Sequence, residues 1–194
     1  MNNEILDIII SLVKGVKADG RIESDNQILW GSDYLLNQVL RQFDIPKDHY
    51  YVSERASKVW KRITSQEIMD YHYRKKVTLD KADGTVTLRC YKGSSSHYTE
   101  WTPQNGDKLT YRDVFHDEHI VPIKIIIHEL VKLPELNYEN ILGVLDKIRV
   151  CKMLKEEDKT IVNRSNRSSD YKIAVAENYN GIVCVNVVTG EILK

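Results

Sequence analysis

With 194 residues, 42% of them apolar and 29% charged, the chain is long enough for one good core or two small lobes, and its composition is that of an ordinary globular protein. Its 28 lysines and arginines are balanced by 28 aspartates and glutamates, so there is no global cationic field of the kind many non-specific nucleic-acid binders use, and only local basic faces can meet phosphate. Cys90, Cys151 and Cys184 are odd in number and form no CxxC pair, which points to neither a disulfide framework nor a structural zinc knuckle.

The first 70 or so residues read as helical. Ile5, Leu6, Ile9, Ile10 and Val13 recur at helical spacing, and Asp7 and Lys14 cut this apolar run too short for a signal peptide or a membrane span. A cytoplasmic protein without a membrane partner is therefore expected. A second helix is predicted from a capping box at Ser24 and Gln27 through Leu40, with Ile45 and Pro46 ending it. A third is predicted from Ser53 to about Lys61 and a fourth from the Thr64 to Glu67 capping box.

From residue 75 the apolar period shortens. Lys76 to Leu79 and Thr85 to Tyr91 flank the turn Lys81 to Gly84, which predicts a β-hairpin. Lys92 to Lys108, rich in Gly and Ser, reads as a loop or pair of turns. At the far end, Ile173 to Ala176 and Ile182 to Val188 flank Asn178 to Gly181, predicting a closing hairpin.

The stretch from Phe115 to Pro122 carries the chemistry: His116, Asp117, Glu118 and His119 stand directly before an Ile-Val-Pro step, and an apolar helix follows from Ile123 to Leu133. A further helix is predicted over about Tyr138 to Lys147, then a strand over Ile148 to Leu154 and a helix over Lys155 to Arg164. The run Glu118-His119-Ile120-Val121-Pro122 resembles the first half of the HNH (ββα-metal) nuclease signature, and the acidic opening of the last helix resembles HNH variants with a Glu-Glu-Asn-type segment there. The resemblance covers residues 109–165. It implies that His119 is the general base, that Glu118 binds a divalent metal, Mg²⁺ or Mn²⁺, and that the last helix supplies a second ligand. By that match Asp158 is the first choice for this ligand and Asn163 the next, with Glu157 also open.

Phosphodiester hydrolysis needs an activated water and a cation on the developing charge, which an imidazole and a metal supply. Adjacent strand residues point to opposite faces, so Glu118 and His119 share a site only if the strand bends or ends there, as Pro122 suggests. His116 reads as a group that orients a substrate phosphate, as a supporting partner of the metal ligands, or as a surface residue. Arg164, Arg167 and Lys172 are candidate phosphate contacts, as are Lys58, Lys61 and Arg62 around Trp60 and the Arg74 to Lys76 run, while Tyr98 and Trp101 could stack on unpaired bases.

The expected protein is α+β: a helical region over 1–74, then an α+β region over 75–194 holding a hairpin, an embedded ββα-metal core and a terminal hairpin. Its expected function is metal-dependent hydrolysis of DNA, with restriction or phage defence as roles suggested by analogy. A homodimer is compatible with this reading. A non-catalytic binding module with a degenerate finger and an RNase using the same site are the rival readings.

Overall fold

Residues 3–19, 32–72, 74–91 and 97–194 are described by the computed structural model of the chain, which is α+β with eight α-helices and nine strands among them. The first half contains α1 (Asn3–Asp19), α2 (Ser32–Arg41), β1 (Tyr50–Ser53), α3 (Glu54–Ile63), β2 (Lys76–Thr78), β3 (Leu88–Tyr91) and β4 (Tyr98–Trp101). The second contains β5 (Lys108–Thr110), α4 (Tyr111–Val114), β6 (Phe115–His119), α5 (Ile123–Lys132), α6 (Tyr138–Leu145), β7 (Val150–Leu154), α7 (Lys155–Asp158), α8 (Tyr171–Asn178), β8 (Cys184–Asn186) and β9 (Ile192–Leu193). No described helix is long and apolar enough to cross a membrane.

The elements fall into two compact units, each assembled from three stretches of chain. One, over residues 1–46, 119–149 and 163–174, is built on α1, α2, α5 and α6. Leu6, Ile9, Val13 and Val16 form the buried stripe of α1, which packs against α2, where Leu36 and Leu40 are buried, and against α5, where Ile126, Ile127 and Leu130 are. Each such side chain contributes about 1.5–3 kcal/mol by leaving water. The ends are fixed by polar contacts: Lys17 donates to the Leu133 carbonyl at 2.7 Å, and the Asn137 side chain caps α6 by accepting from the Asn140 N–H.

The other unit, over 47–118, 150–162 and 175–194, holds the sheet, in the order β6-β7-β1-β8-β9. β1 runs parallel to β7, with Tyr51 opposite Cys151, and antiparallel to β8, with Ser53 opposite Cys184. Its core packs Trp60 and Ile63 of α3 against Tyr71, Leu79, Leu88, Tyr111 and Phe115. The Trp60 ring lies 5.1 to 6.0 Å from those of Tyr71, Phe115 and Tyr111 in tilted and edge-on contacts. Trp60 is thus a core residue, with its indole N–H donating to the Gln66 carbonyl, and not part of a basic surface.

Several expected elements take other forms. The region read as helical contains β1, because Tyr51 and Val52 are buried in the sheet. The capping box at Thr64 opens only a 3-10 turn over Ile68–Asp70, since Thr64 is extended and its N–H closes α3 on the Trp60 carbonyl. The expected start of the second helix at Ser24 lies outside the described residues.

The turn at Gly84 is real, with φ +77° and Asp83 accepting from both the N–H and the hydroxyl of Thr85, but β2 and β3 do not pair with each other. β2 pairs with β5 and β3 with β4, so part of the expected loop over 92–108 is strand. The stretch from Ile173 to Ala176 is helical within α8, because the Asp170 carboxylate accepts from the N–H groups of Lys172 and Ile173. The closing hairpin is instead β8 and β9, turned by Asn186, whose side chain accepts from the N–H groups of Val188 and Thr189.

Candidate metal centre

Phe115 sets the facing of β6. Its ring stacks 5.1 Å from Tyr111 and 5.3 Å from Trp60, inside the core. Strand alternation then sends Asp117 to the same side as Phe115, and His116 and Glu118 to the other. Asp117 is held there by Lys152, whose ammonium donates at 3.2 and 3.3 Å, and by the Tyr111 hydroxyl at 2.9 Å. Burial, and then the negative Asp117, push the Tyr111 phenol well above its ordinary range.

Asp158 comes from α7, the single turn that follows β7. There Glu157 folds inward, accepting from the Leu154 N–H at 2.9 Å and from the Ser53 hydroxyl at 2.6 Å, which ties the single turn of α7 to β1. Asp158, the next residue, reaches the His116 side of β6. His116 Nε2 lies 3.4 Å from Glu118 Oε2 and 3.9 Å from Asp158 Oδ1. The carboxylates are largely shielded, with side chains 12% and 13% exposed, while the imidazole is 41% exposed and opens the group to solvent.

Burial pulls the His116 pKa down, but the hydrogen bond to Glu118 and the charges of Asp158, Glu118 and Asp117 outweigh it and raise it above the ordinary histidine value. The site thus concentrates negative charge and draws a proton onto His116 when no other cation is present.

One imidazole nitrogen and two carboxylate oxygens, all within 4.8 Å of one another, form a mixed nitrogen and oxygen donor set suited to a divalent ion. Ligands about 2.1 Å from one ion stand at most about 4.2 Å apart, so the three close on a cation by small side-chain shifts. The residues fit a metal.

Of the residues singled out in sequence, Glu118 and Asp158 are brought together, and His116 joins them. Its signal was the His-x-Glu spacing, which puts two ligand types on one face of a strand. β6 continues through His119, so alternation turns that side chain away from the Glu118 face, and His119 is not in the converging group. Asn163 is also outside it. The helix expected to carry Asn163 ends at Asp158, and Asn163 is an exposed residue with φ +48°. Glu157 is committed to Ser53 and Leu154.

Arg167 is buried, with its guanidinium donating to the carbonyls of Ile120 and Arg164, whereas Arg164 and Lys172 are exposed. The three cysteines are free and buried. No family model matches the chain, and neither a curated protein nor a solved structure matches it.

Proposed function

We propose that the chain is a metal-dependent nuclease of the HNH kind that hydrolyses phosphodiester bonds of DNA in the cytoplasm, with His116, Glu118 and Asp158 as its metal-binding group. The observation that carries this reading is the convergence of those three side chains from β6 and the turn after β7. β6 supplies His116 and Glu118, and α7, the helical turn after the neighbouring strand β7, supplies Asp158, an order that supports the resemblance to ββα-metal nucleases, with α5 and α6 between the two strands in sequence.

A divalent cation such as Mg²⁺ or Mn²⁺ supplies charge stabilisation at the phosphate and a more acidic bound water. Glu118 and Asp158 would hold and neutralise that cation, shielded enough from water for their charges to count. His116 would offer its Nε2 as the nitrogen ligand beside the two carboxylates. His119, to which the resemblance assigns the proton acceptor for the attacking water, lies on the other face of β6 and takes that role only if the strand end bends when substrate binds.

The test is nicking of supercoiled plasmid by the purified full chain with Mg²⁺, Mn²⁺ or EDTA, beside Glu118→Ala, Asp158→Asn, His116→Ala and His119→Ala. Metal-dependent nicking that falls on the order of 100-fold in the Glu118 and Asp158 variants supports the reading. Nicking that survives EDTA, or that Glu118→Ala leaves unchanged, overturns it. Retained Mn²⁺ binding with lost nicking in His119→Ala assigns the base to His119.

A further inference from the structure

Beside α7, on the same unit as the metal group, lies a cleft of about 580 Å³ whose charged lining is Arg55, Arg89, Glu100 and Glu156. Glu156 is gripped from two sides, by Arg55 from α3 and by Arg89 from β3, the latter at 3.8 Å. The acid is the deeper partner. Its side chain is 23% exposed, against 60% for Arg55 and 47% for Arg89, so the guanidinium groups are what solvent meets.

Around this pair runs a ladder of cations and rings. The Arg89 guanidinium stacks 4.7 Å from the ring centre of Tyr98, which is 44% exposed. Tyr98 lies 5.5 Å from Tyr91, and Lys159 and Lys155 stand 3.8 and 5.7 Å from the Tyr91 ring. Lys155 opens α7 and Lys159 follows Asp158 directly in sequence.

We infer that this cleft binds the phosphodiester backbone of a single strand of nucleic acid, with Glu156 holding the place of a phosphate between Arg55 and Arg89 in the free protein. The choice of ligand rests on the nuclease reading above. Planar guanidinium forks grip phosphate oxygens as they grip carboxylate oxygens. An exposed tyrosine beside an arginine gives one unpaired base a stacking surface, which a duplex cannot use without unpairing. A cleft of this size is that of a small-ligand pocket, wide enough for a short run of nucleotides. Glu100, paired in register with Arg89 across the β3-β4 ladder, keeps one rim acidic. Binding therefore begins with Glu156 swinging out.

The test is anisotropy of a fluorescein-labelled oligothymidylate, and of its duplex, with the full chain in EDTA at low salt. Far-UV circular dichroism shows which variants are folded. Arg89→Ala weakens single-strand binding by about tenfold, and Tyr98→Ala, on an exposed side chain, weakens it by about fivefold. Glu156→Gln strengthens it by about fivefold, because it removes the competing internal charge.

A duplex bound as tightly as the single strand, or Glu156→Gln binding no better than wild type, overturns the inference. Because binding is read without metal, the two readings fail separately. Metal-dependent cleavage with binding insensitive to Arg89 and Glu156 overturns this cleft and leaves the nuclease; the expected binding pattern without metal-dependent cleavage of either the plasmid or single-stranded DNA supports the cleft and overturns the nuclease.

Discussion

His116 Nε2 lies 3.4 Å from Glu118 Oε2, two residues along the same strand, with Asp158 Oδ1 of α7 3.9 Å from the same nitrogen. Three groups that could hold a metal when His116 is neutral hold a proton when it is charged. Burial opposes the charged imidazole, but its bond to Glu118 and the carboxylate charges prevail, so the folded pKa is raised above 6.5. A histidine with a raised folded pKa stabilises the fold fully below the unfolded value and loses that contribution as pH rises through the folded value. Metal-free protein is therefore expected to lose stability to urea as pH climbs from below 6.5 through the raised pKa, with a slope that His116→Asn flattens. Urea midpoints in EDTA across that interval check it; equal slopes in the two proteins would show that the proton is not held at His116. Mn²⁺ affinity moves the other way, rising over the same interval as the competing proton leaves.

Ser53 acts on both sides of this arrangement. Its hydroxyl accepts from the Ala56 N–H at the start of α3 and donates to buried Glu157. Ser53→Ala removes a helix cap and leaves part of a buried carboxylate unsatisfied, a loss of about 2–4 kcal/mol in urea denaturation. Ser53→Thr keeps the hydroxyl and is expected to recover most of it. Because Glu157 anchors the turn that presents Asp158, Ser53→Ala also weakens Mn²⁺ binding by about tenfold under conditions where it is folded.

The parts of this molecule legible in sequence were those decided locally. The apolar stripes of α1 and α5, the Ser53 cap of α3 and the strand β7 all follow from neighbours within a few residues. Strand partners did not, because packing decides which ladder forms: Val77 and Leu109 pair and are both buried, though 32 positions separate 77 from 109. In sequence His116 does not read as a metal ligand, because the family motif directs attention to the adjacent Glu118 and His119, whereas a strand that continues through His119 groups residues two apart. Asn163 was misplaced because α7 ends after one turn, its Thr160 hydroxyl donating to the Glu157 carbonyl instead of the helix continuing.

Cys151 and Cys184 bring their sulfurs to 3.4 Å, yet they should not form a disulfide. Cys151 is opposite Tyr51 and Cys184 opposite Ser53, on the two edges of β1. With one strand between them their backbones stand about two inter-strand spacings apart, close to the ~9 Å upper limit that the sulfur contact allows. That exceeds the reach of a disulfide, about 7 Å between Cα atoms. Burial, and then the neighbouring thiol, push Cys151 well above the ordinary thiol range, which also removes the reactive thiolate. Folded protein treated with diamide, then unfolded and alkylated, is expected to show three free thiols by intact mass. A loss of two would contradict this placement.

Lys152 is the most committed charge on the opposite face of β6. Its ammonium is buried, donates to the Tyr71 carbonyl at 2.7 Å and to both oxygens of Asp117, and lies 4.9 Å from the Tyr111 ring centre. Lys152→Met keeps the packing volume but strips Asp117 of its counter-charge, which costs about 3 kcal/mol, the lower end for a broken buried pair because Asp117 keeps some contact with water. The double variant Asp117→Asn, Lys152→Met removes the orphaned charge and is expected to recover more than half of that loss, a coupling that a double-mutant cycle measures. The same variants test the facing of β6. If Asp117 and Lys152 lie across the strand from His116 and Glu118, Lys152→Met destabilises the fold while leaving Mn²⁺ affinity within about threefold of wild type at temperatures where it is folded. A Mn²⁺ site lost in folded Lys152→Met would mean that the two faces are not separate, and that Asp117 belongs with the metal ligands.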